Sequence, residues 1–115
     1  MVNVRFYRNP EQGTVQMEMD GHAGAAPKGR DLVCAGMSTL AYTAGQAVWF
    51  LHQNGMLKCE PVVEIEEGKA YICAAPKEEC QAETLCVFFT VQAGVYVLAS
   101  DYQEYVKLLP MKSFT

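Results

Sequence analysis

A chain of 115 residues fits one domain around one core, and a composition that is 50% hydrophobic and 19% charged is too apolar for a disordered protein. Nine basic residues against thirteen acidic ones give a formal net charge of −4, the wrong sign for a domain that gains affinity by neutralising phosphates, so nucleic acid is not an expected partner. Five cysteines, an odd number, with no charged-then-apolar leader ahead of the first strand pattern, point to reduced thiols and a cytoplasmic location.

Val2, Val4 and Phe6 alternate with Asn3, Arg5 and Tyr7, and Val15, Met17 and Met19 alternate with Gln16, Glu18 and Asp20. This period of two marks half-buried strands, and Asn9-Pro10-Glu11-Gln12-Gly13 supplies the turn that joins them. From Gly21 to Arg30 the alternation gives way to glycine, alanine and proline, a composition suited to a loop. Val33, Met37, Leu40, Ala41, Ala44, Val48 and Leu51 then recur in steps of three and four, which predicts a helix ending near Asn54-Gly55 with Asp31 as its N-cap.

A second hairpin follows, with Val63 and Ile65 on one side of Glu67-Gly68-Lys69 and Tyr71 and Ile72 on the other; Pro61 marks a strand start or an edge. Glu78 to about Tyr102, opened by Pro76, reads as a second helix on its length, although its β-branched and aromatic content from Leu85 to Val97 also suits a buried strand. Residues 105–109 form a last short strand. The apolar run from Leu85 to Ser100 is interrupted and shorter than the ~20 residues of a membrane span, so no membrane partner is expected. The predicted fold class is α/β of the α+β type: a single domain over residues 1–115, two helices packed on a mixed or antiparallel sheet, in the order β-β-α-β-β-α-β.

The segment with chemistry is Gly21-His22-Ala23-Gly24 followed by Gly29-Arg30-Asp31-Leu32-Val33-Cys34-Ala35. If Asp31 caps the helix, Cys34 falls in the first turn, where unpaired N–H groups and the positive end of the helix dipole favour a thiolate and an oxyanion. His22, at the end of the second strand, is placed to exchange a proton with that sulfur. The Asp31 carboxylate opposes the thiolate while it rigidifies the helix start, and Ser38, one turn on, lies on the same helical side. Against this stands the plainer reading, a small core cysteine and a turn histidine.

These residues resemble a known family, the ribosomal-processing cysteine proteases of bacteria. The resemblance is carried by Gly21-His22-Ala23, Gly29, Asp31, Val33-Cys34-Ala35 and Ser38, with length and element order fitting essentially the whole chain. It implies that Cys34 is the nucleophile and His22 its base and acid, supported by Asp31, Ser38 and Gly21. It further implies that Ala23, Gly24, Gly29 and Arg30 belong to a substrate loop that orders over bound peptide. The implied substrate is a large-subunit ribosomal protein precursor, cut after an apolar, aromatic-containing extension, and the implied assembly is a homodimer without cofactor.

Gly36 and Met37 depart from the family's more usual small or branched aliphatic residues, and Gly36 weakens the helix by up to about 1 kcal/mol. The rival function is a non-enzymatic ribosome-assembly or protein-binding module. No metal is expected, because the cysteines lack the paired spacing of a zinc site. Cys73, Cys80 and Cys86 read as core or reduced surface thiols, His52 as structural, and Trp49, Phe50, Phe88 and Phe89 as core or dimer contacts.

Overall fold

The computed structural model describes residues 1–22 and 31–109. Strand β1 (Val2–Asn9) turns back into β2 (Thr14–Gly21), paired antiparallel from Val2 with Gly21 to Asn9 with Thr14. In the turn, the Gln12 N–H donates to the Asn9 side chain at 3.2 Å, the local capping that favours asparagine there. Helix α1 (Leu32–Gln53) follows, then the hairpin of β3 (Val62–Glu66) and β4 (Lys69–Ala74). A single 3₁₀ turn (Glu78–Cys80) leads into α2 (Gln81–Asp101), and β5 (Val106–Leu108) closes the described chain.

The strands lie in the order β3-β4-β2-β1-β5. All neighbours are antiparallel except β5, which returns after α2 to run parallel to β1. The fold class is therefore the expected one, two helices and a five-stranded mixed sheet. The strand alternation puts Val4, Phe6, Met17 and Ile72 on the face covered by the helices, where each is fully buried. Helix α1 contributes Val33, Met37, Ala41, Ala44 and Val48 to the same core, and α2 contributes Thr84, Phe88, Val91 and Val95. Thr84 enters the core without an orphaned hydroxyl, since it donates to the Cys80 carbonyl at 3.1 Å.

Gly36 answers the cost expected of it. A Cβ there would stand 3.1 Å from Leu98 Cδ1, and one at Gly94 only 2.5 Å from Leu40 Cδ2, so each helix gives up a side chain where the other inserts a leucine. The second helix lies where the sequence put it, but the membrane argument needs correction: Glu78–Asp101 is long and apolar enough, by length and composition alone, to cross a bilayer. One face of that helix is spent on the core, while Phe89, Tyr96 and Val97 are exposed. Among the aromatic residues singled out, Phe88 is core, Phe50 and Phe89 are exposed, and Trp49 meets the His52 ring edge-on at 5.5 Å.

The other face of the sheet is polar. Arg5 and Tyr7 both donate to the Glu18 carboxylate, at 2.9 and 2.7 Å, and the Tyr71 hydroxyl donates to Gln16 Oε1 at 3.1 Å. Burial, and then the hydrogen bond to Glu18, pushes the Tyr7 phenol well above its usual range. Tyr71 is pushed up to about 12, first by burial, then by Cys73 and by the Glu18 and Glu64 carboxylates.

Two predictions follow from this packing. The folded chain holds the Tyr71 proton to about 12 against an ordinary value of 10.0, so the stability tied to it is complete below about pH 10 and is lost as pH climbs toward 12. Urea midpoints measured across that window should fall for the wild type and fall less for Tyr71→Phe; a level wild-type profile would contradict the assignment. In Gly45→Ala, the new methyl would stand 2.8 Å from Val63 Cγ1, on a side chain stiff at χ1. Overpacking of about 1–3 kcal/mol should outweigh the roughly 1 kcal/mol gained in helix propensity, and an unchanged or raised urea midpoint would refute it.

Candidate active site

The start of α1 is built by Asp31. Its backbone is extended (φ −84°, ψ 97°), its side chain accepts from the Cys34 N–H at 3.0 Å, and its carbonyl accepts from Ala35 N–H at 3.0 Å. Asp31 is the expected N-cap, and it is itself buried. Cys34 therefore occupies the third helical position, half-buried, with its side chain at the wall of an open cavity. The Cys34 N–H is thereby bonded to Asp31 and is not an open oxyanion donor. Among the described residues the Leu32 and Val33 N–H groups, which precede the first intrahelical bond, have no acceptor.

Across the cavity stands His22, exposed, immediately after the last residue of β2. Three tethers fix this strand end. The Gly21 N–H donates to the Gly68 carbonyl at 2.9 Å, the Met1 nitrogen donates to the His22 carbonyl at 2.6 Å, and β1 pairs through Val2 with Gly21. Gly21 has φ +103°, and a Cβ there would collide with the Met1 carbonyl oxygen, so a side chain is excluded on two counts. The His22 ring rests on Gly68, where a Cβ would stand 2.6 Å from Nε2. Among the described residues no hydrogen bond joins the imidazole to the Cys34 sulfur.

The shared cavity has a volume of about 560 Å³. Its floor is apolar, formed by Met19, Met37, Ala41, Ile65 and Ala70, and its rim carries Glu66, Glu67 and Lys69 from the β3–β4 turn. Ser38 lines the same space, exposed, with no side-chain hydrogen bond among the described residues. Thus Gly21, His22, Asp31, Cys34 and Ser38 all border one cavity. Ala23, Gly24, Gly29 and Arg30, with Lys28, lie outside the described residues. Sequence reasoning missed Gly68 and its neighbours, because Glu67-Gly68-Lys69 reads only as a hairpin turn until β4 is known to lie beside β2.

The other thiols offer a comparison. Cys59 and Cys86 are exposed, and Cys73 and Cys80 half-buried. The Cys80 thiol, though next to the start of α2, is pushed up by desolvation and then by Glu83 and Glu79, against the opposing Lys77. Among the described residues no three ligating side chains gather as a metal site. A half-buried thiol on the first turn of a helix, an imidazole lining the same apolar-floored cavity, and helix-end amides with no partner among the described residues are the parts that acyl transfer through sulfur requires.

A family model described as cysteine protease Prp matches residues 1–107. The chain belongs to that family. Ribosomal processing cysteine protease Prp of Bacillus subtilis is 35% identical over 71 residues, which covers 62% of this chain and 59%, less than two thirds, of that relative. The protein of the same description from Staphylococcus aureus is 22% identical over 108 residues, covering 94% and 97% of the two chains. The crystal structure of the essential ribosomal processing protease Prp from S. aureus, in complex with a covalently linked product peptide, superposes with a TM-score of 0.73 at 25% identity, covering 97% of this chain and 100% of that one.

For this Prp family member the seat of the imidazole generates a prediction. Gly68 has φ +76° and no space for a Cβ beneath His22, so Gly68→Ala should displace the ring, seen as shifted His22 ring resonances by NMR, and, with His22 as the proton carrier, lower kcat for peptide cleavage by about 10- to 100-fold. A variant with wild-type kcat would show that this seat does not position the histidine.

Proposed function

We propose that residues 1–115 act as one cysteine protease domain that removes a short N-terminal extension from a large-subunit ribosomal protein precursor in the cytoplasm, with Cys34 as nucleophile and His22 as proton carrier. The observation that carries this reading is the shared cavity: among the described residues the only cysteine bordering it stands on the first turn of α1, and the only histidine bordering it directly follows β2. Asp31, Gly21 and Ser38 support the site, the first by capping the helix and the second by admitting the backbone turn before His22.

In the reaction, the Cys34 sulfur attacks the scissile carbonyl carbon and the carbonyl oxygen takes the negative charge, facing the amide end of α1. His22 passes the thiol proton to the leaving amine as the C–N bond breaks, leaving a thioester on Cys34. Water then attacks the thioester carbonyl, losing a proton to His22 while the C–S bond breaks and sulfur recovers its proton, which releases the acid. The apolar floor of Met19, Met37 and Ile65 suits the apolar, aromatic-containing cleavage sequence. No step calls for a metal or cofactor. A homodimer is the proposed assembly, supported by the apolar outer side of α2 with Phe89, Tyr96 and Val97 exposed.

The test is incubation with the ribosomal protein precursor and mass spectrometry of new N-termini. Wild type should yield one new terminus. Cys34→Ala should yield none, and His22→Ala should slow the reaction by at least about 100-fold. With iodoacetamide, Cys34 should react faster than the exposed Cys59 and Cys86 and lose that advantage in His22→Ala. No cleavage, together with equal alkylation of all three thiols, would favour the non-enzymatic binding module instead.

A further inference from the structure

Strand β3 is one edge of the sheet, and it runs straight into the cavity, which its last residues Ile65 and Glu66 help to line. Its pairing with β4 decides which main-chain groups are left over. Glu66 pairs with Lys69 across the turn, Ile65 with Ala70, Glu64 with Tyr71 and Val63 with Ile72. On the other side of β4, Gly21 donates to Gly68 around the Asp20–Lys69 pair, so Lys69 turns its own N–H and C=O toward Glu66. By antiparallel alternation Glu64 and Glu66 bond to β4, whereas Val63 and Ile65 aim their N–H and C=O groups off the sheet. Among the described residues nothing pairs with those groups.

Such an edge is a template for another extended chain. Its side chains restrict which chain fits. A second copy added antiparallel through Val63 and Ile65 would set Glu64 directly against its own counterpart, a like-charge pair that opposes the match. Glu64 and Glu66 are exposed along the strand, while Val63 and Ile65 alternate with them and turn toward the core. The complementary strand therefore alternates apolar residues, which lie beside Ile65 over the cavity floor, with basic residues, which lie beside the two carboxylates.

We infer that the substrate peptide docks as a sixth strand on the free edge of β3, held by the Val63 and Ile65 main chain and selected by Glu64 and Glu66 for basic residues, so that the strand delivers its scissile bond into the cavity between Cys34 and His22. This rests on the protease reading for the placement of the bond, but the docking edge is a separate set of atoms and can be tested apart from it.

The experiment uses ¹⁵N-labelled Cys34→Ala protein and a synthetic peptide spanning the cleavage junction of the ribosomal protein precursor. Amide hydrogen exchange is read by two-dimensional NMR with and without peptide. At saturation the Val63 and Ile65 amides should slow by at least about 10-fold, while those of Glu64 and Glu66, already bonded to β4, should keep their rates. With wild-type protein, Glu64→Lys should raise KM for the same peptide by about threefold and leave kcat in place, the effect of a reversed surface charge. Saturation with Val63 and Ile65 unchanged would overturn the docking edge and leave the protease reading standing. The same two amides already protected without peptide would overturn it in favour of a second copy of the chain. Protection on peptide binding, with no cleavage by the wild type, would support the docking edge and sink the protease reading.

Discussion

One hydrogen bond fixes where α1 begins: the Asp31 carboxylate accepting from the Cys34 amide at 3.0 Å. It ends the extended backbone at Asp31 and starts the helix at Leu32, a contribution of about 0.5–2 kcal/mol, while the buried stripe of α1 fixes its rotation. With the start at Leu32, Val33, Met37, Ala41, Ala44 and Val48 all face the core, and Cys34, one position on from Val33, faces the cavity wall. The core side chains and the Cys34 thiol thus share a single register. The bond has a chemical consequence as well, since it occupies the amide of the residue that carries the sulfur and sets a carboxylate beside it. What Asp31 contributes is position, and stabilisation of anionic charge falls to the helix end, where the Leu32 and Val33 amides lack intrahelical acceptors.

His22 depends on a different constraint, the order of the strands. It follows β2, but it is steadied by β1, through the Met1 nitrogen, and by the β3–β4 turn, through Gly68. That works only because β4 is inserted beside β2, so that the far hairpin returns next to the near one. A meander in chain order would leave the turn at residues 66–69 elsewhere and His22 without its seat. The cavity floor has the same origin, since Met19, Ile65 and Ala70 come from three strands that end together above the first turns of α1.

Local patterns in the sequence were sufficient for the elements themselves. Alternation of Val2, Val4 and Phe6, the three-and-four spacing from Val33 to Leu51, and aspartate ahead of the helix each reflect interactions within a few residues, and each element lies where those patterns put it. The site residues on α1 and at the end of β2 were legible for the same reason. Three things were not. The role of Gly68 depends on contact between residues 46 apart in sequence. The glycines at 36 and 94 look like losses in helix propensity, and only the crossing of α1 over α2 shows what Leu98 and Leu40 gain from them. Which amide the Asp31 carboxylate takes is open in the sequence, since an N-cap side chain accepts from the second or the third helical N–H, and the structure gives that of Cys34.

The turn at Glu67-Gly68 also links two features that a chain-order reading keeps apart. Strand β3 ends at Glu66, and the imidazole of His22 rests two residues later, on Gly68, which in turn bonds Gly21 through its carbonyl. The covalent path from the free edge of the sheet to the histidine is therefore two residues long and passes through a glycine at φ +76°, a conformation in which little but local bonding fixes the backbone. Edge strands with half their hydrogen bonds unmade are among the less stable parts of a sheet. Hydrogen bonds added along β3 would stiffen that path as far as Gly68, on which the His22 ring rests, whereas Cys34 is anchored separately by Asp31. The Cys34 thiol is thus held by the rigid helix, and the His22 imidazole by the sheet margin.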